Sequence, residues 1–208
     1  MSLTSITTTS AQLFNRCTSL VSITFPNSLT SIESFTFRGC TSLTSITIPD
    51  SVTKIGDSSF NNCNSLTSIT LPNLASPIGN NAFNGCSSLT SITIPYGVTA
   101  IWSSTFLNCT SLTSITIPDS VTLIQWQVFR GCTSLTSITI PNSVKSIDYN
   151  TFQDCTSLTS ITMPNSVTSI GTGVFTNVPS TCVMNVSRTW DRTLATNAGY
   201  TGRFNVIL

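Results

Sequence analysis

Residues 132–154 read CTSLTSITIPNSVKSIDYNTFQD, and most of the chain repeats this unit. Seven cysteines stand 23 residues apart and mark successive copies: Cys17, Cys40, Cys63, Cys86, Cys109, Cys132 and Cys155. A fixed period of this length is typical of solenoids, in which each repeat buries its apolar face only against its neighbours. The sequence therefore predicts one elongated domain of stacked coils.

Within the unit, apolar residues alternate with Ser and Thr in a way that indicates a short, half-buried strand. Ile138 and Ile140 flank Thr139 with a period of two, which predicts an inward face of Ile and an outward face of Ser and Thr. Pro141 ends the strand because it has no N–H donor. Residues 144–147 form a second short β-prone run, and the remainder of the unit is long enough only for a turn.

Stacking places equivalent residues about 4.8 Å apart, so every column of the repeat becomes a ladder through the protein. The phenylalanines three residues before each cysteine position are predicted to form the core ladder: Phe37, Phe60, Phe83, Phe106, Phe129, Phe152 and Phe175. The residues just before each cysteine position are types that tolerate a left-handed backbone: Gly39, Asn62, Gly85, Asn108, Gly131, Asp154 and Asn177.

The pattern L-x-x-I-x-I-P-x-S-V-x-x-I-x-x-x-x-F-x-x-C resembles the 23-residue leucine-rich repeat of the BspA-like surface-antigen family and runs in register from about residue 20 to residue 175. The resemblance implies a β-rich leucine-rich repeat solenoid of the α/β class. Its expected form is a right-handed arc of about seven coils, each with a strand of a parallel sheet, a short second β-run and a turn or 3-10 segment. The resemblance also implies an extracellular or surface-associated protein that binds host or matrix molecules.

Three segments are predicted: a truncated N-terminal coil over residues 1–16, seven leucine-rich repeats over 17–177, and a C-terminal capping module over 178–208. In that module, residues 183–186 are predicted to form a strand, Ser187 to cap a helix, and residues 204–208 to return as a last strand. Trp190 and Leu194 are expected on one helix face. This βαβ-like cap would cover the final coil.

The first coil is short, and Leu3, Ile6 and Phe14 are its main apolar residues. Such a thin cap predicts that the N-terminal end is covered by a preceding domain or by a neighbouring subunit. Head-to-tail contact through this end would propagate into a filament.

Composition argues against several classes of function. Charged residues make up 7% of the chain and the formal net charge is +1, which disfavours a nucleic-acid or anionic-membrane surface. The sequence predicts no membrane span, and its first ten residues do not resemble a signal peptide. No cofactor is expected.

Residue inventory also disfavours an enzyme or a metal site. The chain has no His and a single glutamate, Glu33, and Asp50 and Asp119 share a column three coils apart. No catalytic residue and no metal ligand set is therefore predicted. Stacked cysteine side chains point the same way, which leaves their Cβ atoms too far apart for bridges, so the seven in-register cysteines are predicted to be free and buried.

Two surfaces are candidate sites. The first is a regular polar face on the predicted sheet, formed by Ser45, Thr47, Ser68, Thr70, Ser91, Thr93, Ser114, Thr116, Ser137 and Thr139. The second is a set of large side chains, mostly at variable turn positions, proposed as a partner-binding band: Trp102, Trp126, Tyr149, Phe35, Tyr96, Leu107 and Arg130. Trp and Tyr are favoured as interface anchors, and Trp102, Trp126 and Tyr149 come from successive coils.

These features support a non-catalytic binding or adhesion module that recognises a protein or a glycan. The alternative is a structural protein that self-assembles into a filament or surface coat and displays its Ser and Thr ladders, with or without attached glycans. Ice binding by the regular hydroxyl face is a minor alternative.

Overall fold

The computed structural model describes residues 7–74 and 76–207, which form a parallel β-solenoid with little helix. In chain order the strands are β1 (Ser31–Ile32), β2 (Ser45–Thr47), β3 (Lys54–Ile55), β4 (Ser68–Thr70), β5 (Ser91–Thr93), β6 (Ala100–Ile101), β7 (Ser114–Thr116), β8 (Leu123–Ile124), β9 (Ser137–Thr139), β10 (Ser146–Ile147), β11 (Ser160–Met163), β12 (Ser169–Ile170), β13 (Val183–Ser187) and β14 (Arg203–Ile207). One short helix, α1 (Thr193–Asn197), lies between the last two strands. The predicted solenoid of 23-residue coils is confirmed.

The main face of the solenoid carries β2, β4, β5, β7, β9, β11, β13 and β14. Strands pair in parallel with equivalent residues opposite each other, for example Ser45 with Ser68 and Ile46 with Ile69. In β2 the central Ile46 is buried, whereas Ser45 and Thr47 are exposed. This alternation recurs in β4, β5, β7 and β9, which confirms the predicted inward and outward faces.

The second β-run forms its own parallel ladders from two-residue strands. β1 pairs with β3, and β6, β8, β10 and β12 form a four-stranded sheet. The coil that contains Ile78 has a single β-bridge here instead of a strand, between Ile78 and Ile101, and this bridge extends the four-stranded sheet toward the N-terminal coils. Most coils therefore contain one strand of the main face and a second, two-residue strand, as the repeat unit predicts.

The phenylalanine ladder is the centre of the core. Phe37 through Phe175 in this column are at most 1% exposed, and successive ring centroids lie 5.3–6.1 Å apart with nearly parallel planes. Phe14 extends the ladder, at 5.4 Å from Phe37. At the other end Tyr200 closes it edge-on against Phe175.

The turn segments are as regular as the strands. The residues before each cysteine position have φ between 58° and 74°, which confirms the left-handed column. A second left-handed column, not predicted, lies four residues earlier and includes Phe35, Ser104 and Gln127. Backbone N–H groups donate across coils here, from Phe37 to the Ser59 carbonyl at 2.7 Å and from Phe60 to the Ala82 carbonyl at 2.8 Å. The turns thus form a third hydrogen-bonded side.

The cysteines are free, and seven of the eight are buried. Each thiol from Cys40 to Cys155 donates to a phenylalanine carbonyl of the preceding coil, as Cys109 does to Phe83 at 3.2 Å. The prediction is wrong for Cys17, which is exposed because no coil among the described residues covers it. Cys182, outside the regular spacing, is buried.

We expect a thiol-reactive reagent to modify one cysteine, Cys17, quickly in the native protein and all eight after denaturation. Thiols at 0% exposure react only when the structure opens, which slows them by a factor of about 10³ or more. Mass spectrometry of labelled peptides measures this. Rapid native labelling of Cys109 or Cys132 would contradict the buried column.

The C-terminal segment extends the main sheet and ends it. β13 pairs with β11, and β14 pairs with β13, both in parallel, with α1 between them. The two predicted strands and the intervening helix are confirmed within the described residues, whereas the three-segment division of the chain stays a prediction.

The prediction that Ser187 caps the helix is wrong. Ser187 ends β13, and α1 begins at Thr193, whose N–H donates to the Asp191 carboxylate at 2.9 Å. The intervening residues bring Trp190 back onto the core, where its Nε1–H donates to the Val167 carbonyl at 3.0 Å. Trp190 therefore lies before the helix, although Leu194 within it also packs on the core.

Candidate binding surfaces

Trp126 and Tyr149 form a stacked pair on the turn side of the solenoid. Both stand six residues before a cysteine, so successive coils place them in one column. Their ring centroids are 5.8 Å apart with an interplanar angle of 6°. Tyr149 is 42% exposed and Trp126 is partly exposed, so the pair offers an aromatic surface to solvent.

Trp102 lies apart from this pair. It stands seven residues before its cysteine rather than six, and it lines a depression of about 320 Å³ that faces the earlier coils. Lys54, Pro77 and Asn80 line the same depression. The structure thus brings Trp126 and Tyr149 together and places Trp102 beside an open depression of its own.

The other residues of the proposed partner-binding band either contact a neighbouring side chain or lie away from the Trp126–Tyr149 pair. Arg130 Nε lies 3.7 Å from an Asp154 carboxylate oxygen in an exposed pair, and Leu107 occupies the same column as Arg130, one coil earlier, partly buried. Phe35 has a left-handed backbone, and the Arg38 guanidinium lies 5.7 Å from its ring centroid. Tyr96 lies on the rim of the main face, not on the turn side.

The polar face is interrupted at two places. β4 and β5 are neighbours but belong to separate hydrogen-bonded sheets, and so do β7 and β9. A depression lies over each interruption, of about 550 Å³ between β4 and β5 and about 300 Å³ between β7 and β9. The strands stay neighbours at both places, and Thr90 N–H donates to the Thr67 carbonyl and Thr136 N–H to the Thr113 carbonyl, each at 3.3 Å, so the coils remain in register along the predicted face.

Tyr96 marks the larger depression and is 71% exposed. It directly follows Pro95, and the equivalent residue after the proline of the other coils is Asn or Asp: Asn27, Asp50, Asn73, Asp119, Asn142 and Asn165. Asn73 lines the same depression, as do Leu71 and Pro95. Sequence reasoning missed these three neighbours, because their side chains are ordinary for their columns.

Electrostatic features are few and local. Lys54 Nζ donates to the Glu33 carboxylate at 2.9 Å, and this hydrogen bond lowers the pKa of Glu33 against the opposing effect of partial burial. Among the residues the structure describes, no group of three His, Cys, Asp or Glu is placed to hold a metal ion. No described helix has the length and apolar character to cross a bilayer.

Two of the three predicted N-terminal apolar residues, Leu3 and Ile6, lie outside the described residues. Within them, Leu13 and Val21 are exposed in the first described coil, and Val206 and Ile207 are exposed on β14. No contact in the structure tests head-to-tail association, which stays a prediction.

The chain is similar in sequence and in fold to known leucine-rich repeat proteins. The model of the BspA type leucine rich repeat region matches residues 7–135 and 76–192 in six copies. No functionally curated protein matches the sequence. Among solved structures, a Treponema pallidum leucine rich repeat protein (TpLRR) is 27% identical with a TM-score of 0.66, over 97% of this chain and 81% of that chain.

A leucine rich cell surface protein from Faecalibacterium prausnitzii is 28% identical with a TM-score of 0.59. That match covers 98% of this chain and 62% of the Faecalibacterium chain. The family model spans well over half of the chain, and its repeat is the coil seen in the structure. The chain belongs to the BspA-type leucine-rich repeat family.

Proposed function

We propose that this chain is a non-catalytic binding module of a bacterial surface protein, and that it contacts a protein or glycan partner through the turn side that carries Trp126 and Tyr149. The observation that carries the proposal is the stacked pair, in which Tyr149 is exposed and Trp126 is partly exposed. Family membership supports a binding or adhesion role, and the Faecalibacterium relative is described as a cell surface protein.

The fold does not need aromatic rings in this column. Other coils have small polar residues there: Ser34, Asp57, Asn80, Ser103 and Thr172. Those coils have the same turn and the same buried phenylalanine. An exposed Trp and Tyr that the core does not require are the residue types that most often anchor interfaces, because they bury a large area at a low cost in conformational entropy.

The turns that carry Trp126 and Tyr149 also carry Arg130 and Asp154, which follow them by four and five residues. This ion pair is partly exposed, so its own contribution to stability is small. An aromatic centre with a charged, solvent-accessible rim is the usual arrangement of a protein interface. This arrangement supports a protein partner at the turn side.

The test is the double substitution Trp126→Ser and Tyr149→Ser, which restores the residue types of the other coils. We expect affinity for the partner to fall at least about tenfold, since each buried anchor contributes more than about 1 kcal/mol. Binding is measured on immobilised extracellular-matrix proteins and on a glycan array. The matched control is Trp126→Phe with Tyr149→Phe, which keeps two stacked rings and is expected to retain most of the affinity.

The thermal midpoint of the double serine variant is expected to stay within a few degrees of the wild type, because exposed substitutions change stability little. A large drop would mean that the rings cover the coil edges. Unchanged binding by a well-folded variant would place the contact elsewhere on the molecule.

Self-assembly is the second candidate. The outer edge of β14 has no partner strand among the described residues, and Val206 and Ile207 on it are exposed. An open strand edge with apolar side chains is a template for another chain. Whether copies stack through it stays a prediction, and so does ice binding.

A further inference from the structure

We propose that the depression beside Tyr96, between β4 and β5, binds a neutral oligosaccharide. The inference rests on the proposed function only in treating the chain as a binding module, since the site lies on the main face and shares no residue with the Trp126–Tyr149 pair. Its volume of about 550 Å³ is in the range of ligand sites and is the largest of the depressions described above.

The corner at Tyr96 lacks a serine that five other coils have. There a serine follows the residue after proline, and in three of them its hydroxyl donates to a carbonyl of the preceding coil: Ser51 to Leu29 at 2.6 Å, Ser120 to Val98 at 2.8 Å, and Ser143 to Val121. Here the equivalent residue is Gly97, which has no hydroxyl to make this bond. A Cβ on Gly97 would lie 1.9 Å from the Leu74 carbonyl oxygen, so only glycine permits this close approach of the two backbones.

This altered corner coincides with the interruption between β4 and β5. The strands are in contact, yet their ladder does not continue as one sheet. The recess on these two strands has a polar surface from the exposed Ser and Thr of both, while Leu71, Ile94 and Pro95 contribute an apolar part. The recess is therefore amphipathic and lies next to an exposed aromatic ring.

The chemistry of the lining selects the class of ligand. No residue that lines the depression is charged, in contrast to the smaller depression between β7 and β9, which includes Asp119. Hydroxyls of Thr70 and Thr93 and the amide of Asn73 both donate and accept hydrogen bonds, and so do sugar hydroxyls. An acidic saccharide or a phosphate would find no cation here.

The Tyr96 ring supplies the apolar contact that sugars require. One face of a pyranose presents C–H groups, and an aromatic ring packs on that face while the sugar hydroxyls point to neighbouring polar groups. Tyr96 is mostly free of its own coil, so such packing needs no rearrangement of the core. The rungs of the sheet are about 4.8 Å apart, close to the advance of one sugar unit in an extended chain, so consecutive units would meet equivalent Ser and Thr positions.

The same ring argues against ice at this place. An ice-binding face must be flat and regular, and an exposed Tyr at the rim of a recess interrupts both properties. Inhibition of ice recrystallisation by this face would therefore contradict the proposal.

The test is calorimetric titration of the full chain with three neutral hexasaccharides: β-1,4-linked glucose, β-1,4-linked N-acetylglucosamine and α-linked mannose. We expect at least one to bind, and Tyr96→Ala to weaken that binding at least about tenfold, whereas Tyr96→Phe retains it. Asn73→Leu, at an exposed position, is expected to weaken it as well, through loss of the amide. A hyaluronan hexasaccharide, which is acidic, is expected to bind more weakly.

Failure of this inference is distinguishable from failure of the proposed function. The Trp126→Ser and Tyr149→Ser variant is expected to bind the hexasaccharide as well as the wild type, whereas Tyr96→Ala retains the partner contact of the turn side. The proposal is overturned if none of the three neutral sugars binds, if Tyr96→Ala binds the sugar unchanged, if the acidic sugar binds best, or if the protein inhibits ice recrystallisation through this face.

Discussion

Raising the pH from about 8 to about 10 is expected to lower the free energy of unfolding by at least about 7 kcal/mol, which is comparable with the whole stability of a typical domain. The cause is the set of seven buried thiols: Cys40, Cys63, Cys86, Cys109, Cys132, Cys155 and Cys182. Desolvation raises the pKa of each thiol from its ordinary value of 9.0, to about 11 for Cys40 and Cys182 and to about 12 for Cys86 and Cys155. The pKa values of Cys63, Cys109 and Cys132 shift in the same direction for the same reason.

The direction of the effect follows from where the protons are held. Below about pH 8 the thiols are protonated in both the folded and the unfolded state, so their burial costs no stability. Above pH 9 the unfolded chain releases these protons while the folded chain keeps them until the pH approaches the raised pKa values. Between about pH 8 and pH 10 each fully enclosed thiol therefore lowers the free energy of unfolding by about 1.4 kcal/mol, and Cys40 and Cys182, at the ends of the column, lower it by less.

Urea denaturation at a series of pH values, in the presence of a reductant, measures this dependence. Cys109→Ala removes one buried thiol, so the number of protons released on unfolding above pH 9 should fall by about one. The free energy of unfolding should then depend less steeply on pH. Cys17→Ser is the matched control and should leave the dependence unchanged, since that thiol is exposed. A change of less than about 2 kcal/mol over this range would show that the thiols ionise in the folded state and are not enclosed.

The repeat makes the fold readable from the sequence. One column holds phenylalanine in seven coils, which indicates a buried position in each of them, and the structure buries every one of those rings. The left-handed column before each cysteine was readable for the same reason, because Gly, Asn and Asp share one conformational property. The second left-handed column was missed since Phe35 and Gln127, among others, do not share that property.

The candidate sites were less readable because they depend on departures from the repeat. Trp102 was grouped with Trp126 and Tyr149, yet an offset of one residue from the cysteine places it in a different column. Counting that offset predicts the separation. The recess at Tyr96 is lined by residues of two coils, and no local sequence pattern encodes how the surfaces of two coils meet.

Phe129→Ala is expected to lower the free energy of unfolding by about 3–5 kcal/mol. Phe129 is 0% exposed and its ring centroid lies 5.7 Å from those of both Phe106 and Phe152, so truncation empties a rung of the core that neighbouring coils cannot fill. Chemical denaturation measures the change. Thr116→Val, on the exposed face of β7, is the control and is expected to change stability by less than about 1 kcal/mol.

The position of this rung makes the shape of the transition informative as well. Coils of a solenoid are stabilised by nearest-neighbour interfaces, so a gap at Phe129 weakens the coupling between the coils before it and those after it. We expect the unfolding transition of Phe129→Ala to be broader than that of the wild type. Phe175→Ala is expected to broaden it less, since Tyr200 also packs against that ring from the C-terminal side. If Phe129→Ala and Thr116→Val destabilise the protein equally, the ladder is not the main source of stability, and the hydrogen bonds between coils must hold the solenoid together.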